Sequence, residues 1–351
     1  MQLCPELFKT LNPNISNDKN KSFLILHEEY ALGDSLVITN FFKDFHEQYP
    51  NYILYYKVAS NHPYWTTQKE QIYQGNPNIK IWNGEYVDQI IKYKSADYFY
   101  KTNIEQCIMN HIIYEIFEKN TGIKVQQNKL EIDVYLTNDE INNILNKFNI
   151  NNNKPICLIC DGYHPIANSV KYAGIKKYQN IVDTLKNDIT FIQVGDTKGG
   201  YIQNKLNNAI DLIDKTNIRD LFALMYHSSY VITGIHALFH IASMKSKNYK
   251  NVYVFYGCRE CPKYHDTYLH LNHTKFHLLG NNLDKFQKCL HGNFCCLKDI
   301  TVLNNNNNQD RKLCNSVKTV GNETIAECMY DINEIEIIND IKNNLKGKIY
   351  E

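Results

Sequence analysis

The chain has 351 residues, 43% of them hydrophobic, which is enough for two domains with buried cores and too apolar for a disordered polymer. Its 38 basic and 37 acidic side chains leave a net charge of +1, which argues against a broad electrostatic footprint for nucleic acid. No apolar run reaches the roughly 18 residues of a membrane-spanning helix, and the polar start MQLCPELFKTLNPNISNDKNK lacks the apolar centre of a signal peptide. The expected compartment is therefore the bacterial cytoplasm, with a peripheral position at the inner membrane as an allied expectation. In that reducing setting the 11 cysteines count as thiols or metal ligands before disulfides.

In chain order, SFLILH (22–27) predicts a strand and SLVITNFFKDFHEQY (35–49) a helix with one apolar face. YILYYKVA (52–59) predicts the next strand, and IKIWNG (79–84) a shorter one. EYVDQIIKY (85–93) and NIEQCIMNHIIYEIFEKNTG (103–122) are expected as helices, the second ended by Gly122. TNDEINNILNKF (137–148) opens with a capping-box pattern, Thr137 to Glu140.

The Asn-rich stretch 148–154 is the expected linker, after which the alternation restarts. PICLIC (155–160), ITFIQVGD (189–196), YVITG (230–234) and NVYVFYG (251–257) predict strands. IKKYQNIVDTLK (175–186), NIRDLFALMYHSS (217–229) and HALFHIASM (236–244) predict the helices between them. Strands alternating with helices imply parallel sheets covered on both faces. The expected organisation is α/β, with Rossmann-like domains at 1–150 and 151–285 facing a cleft. A Cys-rich segment and terminal helix then fill 286–351. The stretch 267–299 is rich in His and Cys and reads as irregular, whereas NEIEIINDIKNNL (333–345) is a helix that could pack back on the first domain.

Four constellations stand out. Gly33-Asp34 follows the first strand, where open parallel sheets bind ligands. Asp34 there could act as a general base, or simply cap the helix. In VITGIHALFHIASM, Gly234, His236 and Ala237 sit where a strand hands over to a helix whose free N–H groups suit a diphosphate. His240 follows His236 by one helical turn, in reach of ligand or packed in the core. FIQVGDTKGG carries Gly195, Asp196, Gly199 and Gly200 in a turn that fits neither a P-loop nor a dinucleotide fingerprint. Cys289, Cys295, Cys296, Cys314 and Cys328 could supply four thiolates to one tetrahedral metal, or be unrelated thiols.

Together these segments resemble glycosyltransferase family 9, the ADP-heptose:lipopolysaccharide heptosyltransferases and their relatives. Leu32-Gly33-Asp34 through Pro50 is similar to that family's opening motif. FIQVGD, LIDKTNIRDLFALMYHSSYVITG, HALFHIASM and VYVFYGCRE resemble its second-domain signature in the same order, over residues 22–58 and 155–265. The resemblance implies a GT-B fold and an inverting transfer that needs no catalytic metal, with Asp34 as the base. It implies donor contacts from Gly33, Lys177, Gly195, Asp196, Gly234, His236, Ala237, His240 and Arg259. The chain departs from the family at Ile235-His236-Ala237, where Asp-Thr-Gly is usual. GCREC (257–261) and AECMYD (326–331) resemble a subgroup, the autotransporter heptosyltransferases, that binds iron through cysteines. That implies a structural iron or zinc on Cys289, Cys295 or Cys296, Cys314 and Cys328. The implied partners are a nucleotide-sugar donor and a glycan or protein acceptor, with oligomerisation open and no nucleic acid. A nucleotide-sugar epimerase and a non-catalytic, metal-stapled binding module are the rival functions.

Overall fold

The computed structural model describes residues 21–28, 32–59, 63–94, 111–163, 172–198, 200–257, 267–280, 300–304, 310–314 and 317–347. Contacts divide the chain into two compact units, Met1–Thr137 with Lys263–Leu271, and Asn138–Pro262 with Asn272–Glu351. The division falls just ahead of a helix rather than inside the Asn-rich stretch, and the C-terminal segment belongs to the second unit.

The first unit runs β1 (Ser22–His27), α1 (Leu32–Val37), α2 (Thr39–Gln48), β2 (Ile53–Val58), α3 (Pro63–Ile72), β3 (Lys80–Ile81), β4 (Gln89–Tyr93) and α4 (Ile112–Thr121). The strands form one sheet in the order β3-β2-β1-β4, every pair parallel. All six residues of β1 are buried, as the apolar run predicts for a central strand of a covered sheet. Phe23 of β1 meets Phe45 of α2 and Phe117 of α4 edge-on, at 6.0 and 5.2 Å between centroids. Gly122 ends α4 in the left-handed conformation, with φ 72°, and its N–H returns to Glu118 O at 2.8 Å.

Two expectations for this unit are corrected. The single helix of 35–49 starts earlier, at Leu32, and breaks at Ile38. Thr39 Oγ1 donates to Leu36 O at 2.7 Å, a side-chain bond that competes for a backbone acceptor where the helix breaks. EYVDQIIKY is not a helix: its last five residues are strand β4, with Ile91 and Tyr93 buried and Lys92 exposed. Period-two burial and pairing with β1 decide the matter there.

The second unit runs α5 (Asn138–Lys147), β5 (Ile156–Cys160), α6 (Ile175–Leu185), β6 (Thr190–Gln193), β7 (Ile210–Asp211), α7 (Ile218–His227), β8 (Tyr230–Gly234), α8 (Ala237–Ile241), β9 (Lys250–Phe255) and β10 (Thr274–Leu279). Two antiparallel pairs follow, β11 (Ile300–Asn304) with β12 (Asp310–Cys314), and β13 (Val317–Val320) with β14 (Glu323–Ala326). Helices α9 (Glu327–Tyr330) and α10 (Ile335–Gly347) close the order. The large sheet is β7-β6-β5-β8-β9-β10, all parallel. Counted from β5, that is the 3-2-1-4-5-6 order of dinucleotide-binding Rossmann folds.

Helix α7 starts on a full capping box, Asp220 N to Asn217 Oδ1 at 2.7 Å and Asn217 N to Asp220 Oδ2 at 3.2 Å. Part of the stretch expected to be irregular is β10, an edge strand paired with β9. The terminal helix packs within the second unit. Ile337, Ile338 and Ile341 of α10 share a core with Tyr178, Ile181 and Leu185 of α6, and each buried isoleucine contributes roughly 1.5–3 kcal/mol. Tyr253 of β9 adds a hydrogen bond to Asp340 at 2.6 Å.

Candidate functional site

Each sheet has one point where consecutive strands depart in opposite directions, between β1 and β4 and between β5 and β8. Open parallel sheets bind ligands beyond the strand ends at such points. In the first unit the chain leaves β1 at His27 and α1 opens with Leu32, Gly33 and Asp34. Asp34 is thus the third helical residue, half-buried in the first turn, and not the N-cap residue that the capping alternative expects. A carboxylate there is favoured by the helix dipole.

A helix of six residues does not hold itself, and α1 is fastened through Ser35, the neighbour of Asp34. Ser35 O accepts from Tyr73 Oη at 2.6 Å, and Ser35 Oγ lies 3.3 Å from His27 Nδ1. Tyr56 Oη lies 2.8 Å from the same nitrogen. His27 is fully buried, and burial together with the Lys69 charge pushes its pKa well below the usual range, so the imidazole is neutral. Burial pushes the Tyr73 phenol well above its usual range, so it stays a donor. This buried cluster was not foreseen, because only folding brings β1, β2, α1 and the end of α3 together.

In the second unit β5 runs into Asp161 and Gly162. Asp161 is 1% exposed; it accepts Gln193 Nε2 at 2.7 Å and Asn204 N at 3.1 Å, and burial pushes its carboxyl up to about 6. Gln203 is wedged against Gly162 and Gly195: a Cβ on Gly162 would stand 2.0 Å from Gln203 Nε2, and one on Gly195 2.5 Å from the same side chain. A side chain at either position would require the Gln203 amide to move aside. Asp161 and Gln203 escaped the sequence analysis; the available signal was Asp-Gly straight after a buried strand. Asp196 accepts Lys198 N at 2.6 Å and its carboxyl is raised, chiefly by burial. Gly200 has a φ of 82°, while Gly199 lies outside the described residues.

Strand β8 ends at Gly234, and His236 is the residue before α8. Thr233 Oγ1 donates to Gly234 O at 2.9 Å and lies 3.1 Å from His236 Nδ1, which places the proton of that pair on Nδ1. Ala237 begins α8, whose five residues make little more than one turn. His240, on that turn, is 4% exposed and set edge-on to Phe239.

Lys177 is turned to the C-terminal segment. Its Nζ donates to Ile332 O at 2.7 Å and lies 3.6 Å from Glu334 Oε2 and 5.6 Å from the Tyr330 ring centroid. Arg259, Cys289, Cys295 and Cys296 lie outside the described residues. Cys314 is placed on β12 by its backbone, and Cys328 is half-buried on α9 against the second unit's core. Among the described residues no group of three or more His, Cys, Asp or Glu could hold a metal ion. Nor is any helix among them long and apolar enough to cross a membrane.

Solved structures share this architecture over nearly the whole chain. A family 9 glycosyltransferase from Veillonella parvula DSM 2008 matches with TM-score 0.61 at 11% identity, over 95% of this chain and 99% of that one. The E. coli ADP-heptose LPS heptosyltransferase II matches with TM-score 0.59 at 10% identity, over 93% and 99%. TibC, an iron-containing dodecameric glycosyltransferase from enterotoxigenic E. coli H10407, matches with TM-score 0.59 at 14% identity, over 94% and 77%. No family model and no curated protein matches by sequence. The chain has the GT-B fold of the family 9 glycosyltransferases and heptosyltransferases.

Proposed function

We propose that this chain is an inverting glycosyltransferase that moves heptose from ADP-heptose to a hydroxyl of a glycan or protein. The observation that carries the reading is Asp34, in the first turn of a fastened helix at the switch point of its sheet, within a fold that family 9 glycosyltransferases share. The acceptor oxygen attacks the anomeric carbon, its proton passes to the Asp34 carboxylate, and the bond from that carbon to the diphosphate oxygen breaks. The leaving diphosphate carries the developing charge, which donors at the carboxyl edge of the second sheet would stabilise. Gly195, Asp196, Gly234, His236, Ala237, His240 and Arg259 are the residues assigned to that side, with Gly33 as the donor contact assigned to the first unit. Lys177 is assigned to the second-sheet side as well, its ammonium resting on Ile332 O and near Glu334.

Cys289, Cys295 or Cys296, Cys314 and Cys328 are assigned to a structural iron or zinc, metals that suit a thiolate shell. Four protein ligands would close that shell and leave the transfer to side chains alone. The work is assigned to the cytoplasm.

Calorimetric titration of the purified protein with ADP, UDP, GDP and CDP tests the donor. Selective ADP binding is expected; selective binding of another nucleotide keeps the transferase and changes the donor. Binding of none favours the non-catalytic module, for which the Ile235-His236-Ala237 departure is the supporting feature.

A further inference from the structure

We propose that Glu323, on the C-terminal hairpin, is a positioning residue for the nucleotide-binding edge of the second unit. The proposal rests on the donor assignment above. Helix α6 opens at Ile175, and its N-cap is Gly174, with φ 92° and no side-chain cap. The first N–H groups of a helix have no partner within it. Here a carboxylate arrives from 148 residues further along the chain: Glu323 Oε1 accepts Ile175 N at 3.4 Å and the Tyr172 hydroxyl. A Cβ on Gly174 would stand 2.6 Å from Ile325 Cδ1, so the hairpin is seated directly against this turn.

The contact continues inward. Tyr172 Oη accepts Asn204 Nδ2 at 2.9 Å, Asn204 N donates to Asp161 Oδ2 at 3.1 Å, and Gln193 Nε2 donates to Asp161 Oδ1 at 2.7 Å. One chain of hydrogen bonds therefore joins β14 to the residues at the ends of β5 and β6, where the donor is assigned. Tyr172, Asp161 and Gln193 are each 1% exposed or less, so these inner links are shielded from water and a missing partner there is costly, while Asn204 and Glu323 are half-buried. Burial and the adjoining Glu323 push the Tyr172 phenol far above its usual range and keep it a donor to the carboxylate. Tyr163 packs its ring on Tyr172 at 4.2 Å, which holds the phenol in line. The C-terminal hairpin is thus a strut under the site.

The test compares Glu323→Ala, Glu323→Gln and Tyr172→Phe, with Lys318→Ala as a hairpin variant off the chain. Calorimetry with ADP should show binding about tenfold weaker in Glu323→Ala and in Tyr172→Phe, and no weaker still in the double variant. Glu323→Gln keeps an acceptor for Tyr172 and Ile175 and should bind within about twofold of wild type. Unaltered ADP binding in a folded Tyr172→Phe overturns the proposal. Hydrogen exchange at the Asn204 and Leu206 amides gives a readout that needs no nucleotide. It should quicken at least about fivefold in Glu323→Ala and Tyr172→Phe but not in Lys318→Ala. Failure of the wild type to bind any nucleotide would sink the donor assignment, whereas unchanged exchange at those amides would sink the strut.

Discussion

Both sheets place an aspartate soon after the strand at their switch point, and the two aspartates differ in burial and in the element that carries them. Asp34 is half-buried in a helical first turn that the hydrogen bonds of Ser35 fasten. Asp161 is buried, both of its oxygens accept protein N–H groups, and its carboxyl is raised to about 6. Position in the topology marks where a site can form, but burial separates a group that can meet a substrate from one that holds the frame. In the proposed transfer the half-buried carboxylate takes the acceptor's proton, while the buried one holds the frame.

The largest expected effect tests that division. Asp34→Asn should lower transfer by about 10²–10⁴-fold, the usual worth of a general base, while the nucleotide affinity stays within about twofold. The measurement is ADP release from ADP-heptose in the presence of an acceptor-containing extract, beside calorimetry of ADP alone. Transfer close to the wild-type rate would take Asp34 out of the base role.

A smaller effect separates the two regions by pH. Asp161 has a folded pKa of about 6 against an unfolded value near 3.8, so its contribution is fully present below the unfolded value and is lost as pH rises through about 6. A shift of about two units corresponds to roughly 3 kcal/mol. His27 runs the other way. Its folded pKa lies well below 6.5, so nothing is lost above that pH and stability falls as pH drops below it. Urea midpoints between pH 4 and 8 should therefore lose opposite slopes in Asp161→Asn and His27→Gln. His277, whose pKa is also lowered chiefly by burial, leaves some acid-side loss in the second variant. Equal slopes in all three proteins would mean that neither group is held as the geometry requires.

The strands at 22–27 and 230–234 were legible because a buried parallel strand is an unbroken apolar run whatever surrounds it. Helix α4 and its Gly122 ending were equally local. EYVDQIIKY misled because Tyr86, Val87, Ile90 and Ile91 fit helical spacing, and only the vacant side of β1 makes the segment a strand. The contact of Lys177 with Glu334 was not legible, because Glu334 lies 157 residues downstream, beyond any local pattern. The position of Asp34 after the first strand was legible from Gly33-Asp34, a local pattern. Asp161, Gln203 and Glu323 were not, because their meaning lies in partners from other strands and loops.

The smallest expected effect concerns how Asp34 is steadied. Tyr73→Phe removes the hydroxyl that reaches Ser35 O at 2.6 Å and leaves the ring packed on Phe42 and Tyr56. The loss in stability should be about 1 kcal/mol, one net hydrogen bond. A fastening that serves only the fold would stop there, with the transfer rate unchanged at temperatures where the variant is fully folded. A fastening that aims the carboxylate should also cost about tenfold in kcat at unchanged KM for the donor, because small misplacements of a reacting group are expensive. Tyr114→Phe supplies the comparison within the same unit: it removes a buried hydroxyl that donates to Asp44 at 2.7 Å, away from α1. A loss of kcat in Tyr73→Phe but not in Tyr114→Phe would make the hydroxyl at residue 73 part of the catalytic apparatus, whereas equal behaviour would reduce it to scaffolding.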